Sequence, residues 1–117
     1  MGYLVEYINV RSLISVDELA ERLGDEHLRI FDTAVMFKKV DQGLVANSSI
    51  ETYREAHIPR AAFADALGDW SNPETPYRNV LSIDALQRKL GGIGINEKSE
   101  VVVYSSTMLM WATRAWW

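Results

Sequence analysis

Chemistry at neutral pH needs a nucleophile, a base, a set of metal ligands or an anion cradle, and this chain of 117 residues offers few of them. It has no cysteine, which removes disulfides, thiolate metal sites and thiol nucleophiles together. His27 and His57 stand far apart without a supporting cluster, so neither a metal nor a cofactor is expected. What remains is the hydroxyl run Ser105-Ser106-Thr107, directly after Val101-Val102-Val103-Tyr104 and shortly before Met110-Trp111. A loop that leaves a buried strand and enters a helix converges backbone N–H groups, and the helix start adds about half a positive charge. Such a place can hold an oxyanion, or lower the pKa of a thiol placed in it. A serine hydroxyl there is a poor nucleophile unless a neighbouring base takes its proton. No Gly-x-Ser-x-Gly elbow is present, and the loop lacks glycine. The first expectation for Ser105, Ser106 and Thr107 is therefore a polar turn that caps the next helix. An anion-binding loop is the alternative.

The elements that must position this loop alternate along the chain. Ser15-Val16-Asp17-Glu18 is a capping box, followed by Val16, Leu19 and Leu23 on one helical face and Gly24 as a left-handed stop. Leu28-Arg29-Ile30-Phe31 reads as a strand ending at Asp32. Residues 34–48 show no sustained period and read as a surface excursion. Residues 49–56 read as a short helix, with Ile50 and Tyr53 inward, which Pro59 prevents from continuing. Ala61-Ala62-Phe63-Ala64 suits a buried strand, and residues 65–80, with Pro73 and Pro76, read as a loop. Ser82 caps a helix with Ile83, Leu86 and Leu90 on one stripe, ended by Gly91-Gly92. The β-branched run Val101-Val102-Val103 predicts a strand covered on both faces, and residues 110–117 a helix. Strands separated by helices imply a parallel α/β sheet, with ligands beyond the carboxyl ends of its strands.

Composition closes off other classes. With 48% hydrophobic and 24% charged residues, the chain is expected to form a single globular domain over 1–117. Twelve basic residues against sixteen acidic ones give a net charge of −4, and the densest basic pairs are Lys38-Lys39 and Arg88-Lys89. Nucleic-acid binding needs a concentrated basic footprint and is excluded. No apolar stretch approaches the ~20 residues that cross a bilayer, which excludes a membrane span. Residues 1–10 carry Glu6 and no positive start, so no secretory signal is expected and the cytoplasm is the default location.

Tyr53-Arg54-Glu55-Ala56-His57-Ile58-Pro59-Arg60-Ala61 resembles the rhodanese motif, in which a tyrosine, a short helix and a His-Ile-Pro-Gly-Ala run lead into a strand. Further likenesses follow in order: Leu28-Arg29-Ile30-Phe31-Asp32, Asp69-Trp70-Ser71-Asn72-Pro73, Leu90-Gly91-Gly92-Ile93-Gly94-Ile95, and the strand and helix around Ser105. The resemblance covers residues 13–117. It implies a rhodanese-like three-layer α/β sandwich with a mostly parallel sheet, truncated at the C-terminal end by one strand and one helix. It is nearest to the amino-terminal, cysteine-free domain of two-domain thiosulfate or 3-mercaptopyruvate sulfurtransferases.

The resemblance also assigns roles. Ser105 stands where active rhodanese domains carry the catalytic cysteine, so the chain alone is expected to be inactive. Asp32, Arg54, His57 and Pro59 become structural motif residues. His57 is expected to be buried and hydrogen-bonded, with an Asp32–Arg54 or Asp32–His57 contact. Arg60 replaces the family's glycine, and a different backbone conformation is expected there. Helical spacing, independently of the resemblance, places Trp111 and Ala115 in the core and makes one of Trp116 and Trp117 a candidate for an interface. The implied partner is a second rhodanese domain carrying the cysteine, or another copy meeting an open sheet edge. The alternative function is an anion- or protein-binding regulatory module with no role in sulfur transfer.

Overall fold

The computed structural model describes residues 12–117, so the reading of residues 1–10 lies outside the described residues. The elements run α1 (Val16–Glu21), β1 (Leu28–Asp32), β2 (Val35–Val40), β3 (Gly43–Ser48) and α2 (Ile50–Glu55). They continue with β4 (Ala62–Phe63), α3 (Ala66–Asp69), α4 (Ile83–Gly92), β5 (Glu100–Tyr104) and α5 (Leu109–Trp116).

β1 is the middle strand of a three-stranded parallel sheet ordered β4-β1-β5. Its alternation sends Leu28 and Ile30 into a cluster with Leu19 and Ala61, where Ile58, Val102 and Tyr104 join them. Phe31 meets the edge of Trp70 instead, with ring centroids 6.4 Å apart. A second cluster gathers Val35, Leu67 and Trp111, so that α3 and α5 meet the start of β2. The chain is thus the expected α/β fold with a parallel sheet.

Several local expectations change. Residues 34–48 form an antiparallel hairpin, paired from Val35↔Ser48 to Val40↔Gly43, with Gly43 at φ 124°. Its alternation was hidden because Met36, Phe37, Val40, Leu44 and Val45 are all exposed, leaving no polar face to mark a period. β5 is not covered on both faces: Val101 is 39% exposed. As the last strand in the order it has a neighbour on one side only among the described residues. Residues 65–80 contain the short helix α3, which Asp65 caps by accepting the Gly68 N–H at 2.8 Å.

The caps at Ser15 and Ser82 form as the sequence predicts, each accepting a backbone N–H three residues on. The stops differ. α1 ends at Arg22 without a left-handed residue at Gly24, and Val16 is 80% exposed rather than inward. α4 runs through Gly91 and Gly92 and ends in a Schellman motif at Gly94, φ 92°. There Ile95 N–H donates to the Leu90 carbonyl and Gly94 N–H to that of Gly91.

Candidate functional site

The carboxyl ends of β1 and β5 lie side by side because Asp32 pairs with Tyr104 in parallel register. The chain leaving β1 then grips the chain leaving β5. Thr33 donates to the Tyr104 carbonyl twice, from its N–H at 2.9 Å and its hydroxyl at 3.1 Å. Thr107 donates its hydroxyl to the Val35 carbonyl at 2.8 Å, and its N–H to Ser105 Oγ at 3.2 Å. The Ser105 and Thr107 hydroxyls also meet at 3.1 Å. These side chains brace the turn and do not cap the helix: the cap residue of α5 is Met108, with no side-chain hydrogen bond. That corrects the expected capping role, because the hydroxyls lie too early in the chain to reach the first turn. Ser106 is exposed.

Asp32 is wholly buried at 0% exposure. Its Oδ1 accepts the Ala34 N–H at 2.9 Å, while Oδ2 makes no properly directed hydrogen bond. Burial pushes its carboxyl above the usual carboxylate range, against the Ala34 N–H, the Tyr104 hydroxyl and the more distant His57, which favour the charged form. Burial likewise pushes the Tyr104 phenol up, although it accepts the Ile58 N–H at 3.1 Å. No hydrogen bond joins Asp32 to Arg54 or His57, so the expected contact is replaced by backbone Ala34. By alternation Asp32 stands on the same buried face of β1 as Leu28 and Ile30, whereas Arg54 is exposed on α2.

His57 is exposed rather than buried. It does order the turn: Nδ1 lies 2.7 Å from the Tyr53 carbonyl, and the ring stacks on Tyr53 with centroids 3.9 Å apart. The Tyr53 hydroxyl donates to the Ala61 carbonyl at 2.7 Å, closing the other side of the motif around Pro59. Among the described residues the hydrogen-bond partner of Ser105 is Thr107, through its hydroxyl and its N–H. Among the described residues no group of His, Asp or Glu is arranged to hold a metal ion. Thr33, which holds the loop to the sheet, was not singled out in the sequence. Its only signal is its place after a strand-terminal aspartate.

Arg60 adopts φ 68°, the left-handed conformation that the glycine of the resembled motif would take without strain. Its guanidinium donates to the Leu23 carbonyl, tying the turn to the end of α1. Left-handed backbone costs a side-chain-bearing residue ~1–2 kcal/mol, partly offset on the glycine side by ~0.5–1 kcal/mol of chain entropy. Arg60→Gly is therefore expected to hold or slightly raise stability, and Arg60→Val to lower it by ~1–2 kcal/mol. Urea unfolding of both variants checks this; a valine variant as stable as the glycine variant would remove the strain argument.

No protein-family model matches the chain. It is 35% identical over 118 residues to thiosulfate/3-mercaptopyruvate sulfurtransferase 1, mitochondrial, of Arabidopsis thaliana, covering 99% of this chain and 30% of that protein. A probable 3-mercaptopyruvate sulfurtransferase of Pseudomonas aeruginosa is 33% identical over 90% of this chain and 36% of its own length. Thiosulfate sulfurtransferase of Mus musculus is 30% identical over 97% of the chain and 38% of its own length. The chain thus spans about a third of the length of the curated relatives it matches. Since the likeness runs through nearly the whole chain, and that chain folds around a parallel β4-β1-β5 sheet, it is a rhodanese-like domain homologous to the thiosulfate/3-mercaptopyruvate sulfurtransferases.

Proposed function

We propose that this domain is noncatalytic by itself and forms one part of a two-domain thiosulfate or 3-mercaptopyruvate sulfurtransferase, with Ser105 in the nucleophile position. The observation that carries the reading is the lack of any cysteine in a chain whose β5 exit presents Ser105 instead. In the family it resembles, a sulfane sulfur passes from a donor to a catalytic thiolate as a persulfide, and then to a thiophilic acceptor. A serine oxygen cannot form that sulfur–sulfur bond. The partner in this reading is a second rhodanese domain carrying the cysteine, with this domain supplying packing and part of the wall around that site, in the cytoplasm. Self-association through the open edge of β5 is the alternative partnership. The short share of each relative that the chain spans supports the first.

A thiosulfate:cyanide assay on the purified chain, read together with a persulfide-specific probe, is expected to show no turnover above the uncatalysed rate. Turnover that survives removal of contaminating enzymes would overturn the proposal. Ser105→Cys tests the loop itself, because Thr107 N–H already points at this side chain. Its thiol is expected to titrate below the ~8.5 of free cysteine, since backbone amides and a helix start favour thiolate. An unshifted titration in a folded variant would argue against an anion cradle here.

A further inference from the structure

Away from the Ser105 loop, two cavities share Tyr77, Arg78 and Arg114 in their walls. The first, about 450 Å³, is otherwise lined largely by apolar and aromatic side chains, among them Trp70, Leu86 and Trp117. That volume suits a small organic ligand, for which pockets of ~300–1,000 Å³ are typical. Arg114 Nη2 donates to the Ser71 hydroxyl at 2.9 Å and to the Arg78 carbonyl at 2.5 Å, and Arg78 Nη1 donates to the Leu67 carbonyl at 3.3 Å. All three acceptors are neutral. No ion pair among the described residues involves either guanidinium. Two positive charges therefore line the cavity with no side-chain ion pair among the described residues, Arg78 half-buried and Arg114 exposed.

Backbone conformation adds an independent observation. Arg78 adopts φ 49°, where glycine or asparagine would fold with less strain, so local folding does not account for an arginine there. Guanidinium groups match carboxylates in a forked, charge-assisted geometry, and their neutral partners here leave further N–H groups to donate. Apart from Ser71 and Asn79, the remaining walls are apolar or aromatic. We propose that this cavity binds an aromatic carboxylate, its anion held by Arg78 and Arg114 and its ring against Trp70, Leu86 and Trp117. None of Ser105, Ser106 or Thr107 lines it, so the site does not rest on the sulfur-transfer reading.

The test titrates benzoate and its neutral isostere benzamide into the 117-residue protein, following tryptophan fluorescence and ligand-observed NMR saturation transfer. Benzoate is expected to saturate, with benzamide at least ~10-fold weaker, the size of one charge-assisted hydrogen bond. Arg78→Gln is expected to weaken benzoate by a similar ~10-fold. Arg114→Gln should do the same, but Arg114 also staples the loop at Ser71, so Leu86→Trp, which puts an indole where the ligand ring would lie, serves as a second probe and should weaken benzoate by at least ~10-fold. Circular dichroism establishes that each variant is folded. Equal binding of benzoate and benzamide, no saturable benzoate binding by the folded protein, or unchanged affinity in folded Arg78→Gln or Leu86→Trp would overturn the proposal.

Discussion

Trp111→Ala is expected to lower the unfolding free energy by ~3–5 kcal/mol, the usual loss when a large aromatic core side chain is truncated. Trp111 is 8% exposed and packs with Val35 and Leu67. Its ring centroid lies 5.8 Å from that of Phe37, so the same side chain also anchors the hairpin. A single domain has only ~5–15 kcal/mol of stability, and a loss of this size would leave much of the protein unfolded. Trp111→Phe should behave differently. The indole Nε1 is buried without a hydrogen-bond partner, and phenylalanine removes that unsatisfied donor while keeping an aromatic ring. The phenylalanine variant is therefore expected to lose less than ~2 kcal/mol, its smaller lost area being offset in part by the relieved N–H. Equilibrium urea unfolding of both variants decides the matter, and equal losses would refute packing area as the dominant contribution.

Asp32 should impose a pH dependence whose sign follows from its burial. Its folded-state pKa is raised above the ordinary value of 3.8 by desolvation, so the folded state holds the proton more tightly than the unfolded chain. Its contribution is then most favourable below the unfolded value, and stability falls as pH rises through the folded value and levels off above it. Asp32→Asn keeps an oxygen for the Ala34 N–H but cannot ionise. Plotted as wild type minus Asp32→Asn, stability is expected to be flat at low pH and to decline across the window that begins near 3.8. A rising difference would mean that the buried carboxylate is better stabilised than its surroundings indicate. Asp32→Ala removes the acceptor altogether and leaves a buried N–H unpaired, at a cost of ~1–3 kcal/mol at every pH.

The sequence alone determined what nearest neighbours decide. Ser15 and Ser82 each cap a helix because the amide they satisfy is three residues away in the same segment. Leu28–Asp32 and Glu100–Tyr104 are strands because their β-branched and aromatic residues fit an extended backbone. At Arg60 the expected change of backbone conformation does not occur: the arginine keeps the left-handed conformation that glycine would adopt without strain. Tertiary structure decided the rest. Periodicity cannot say how far the faces of β5 are covered, and its apolar run was read as a strand covered on both faces although Val101 is 39% exposed. The hairpin of Val35–Val40 and Gly43–Ser48 lacks an alternating pattern because its apolar side chains remain exposed. The Asp32–Ala34 bond is local, two residues apart, whereas Thr33 and Thr107 hold the Ser105 loop through carbonyls that only the folded sheet brings near. Arg78 and Arg114 are separated by thirty-six residues and meet only once α5 packs beside the loop after α3. Such contacts are set by which surfaces are buried together, a property of the whole chain that no local window contains.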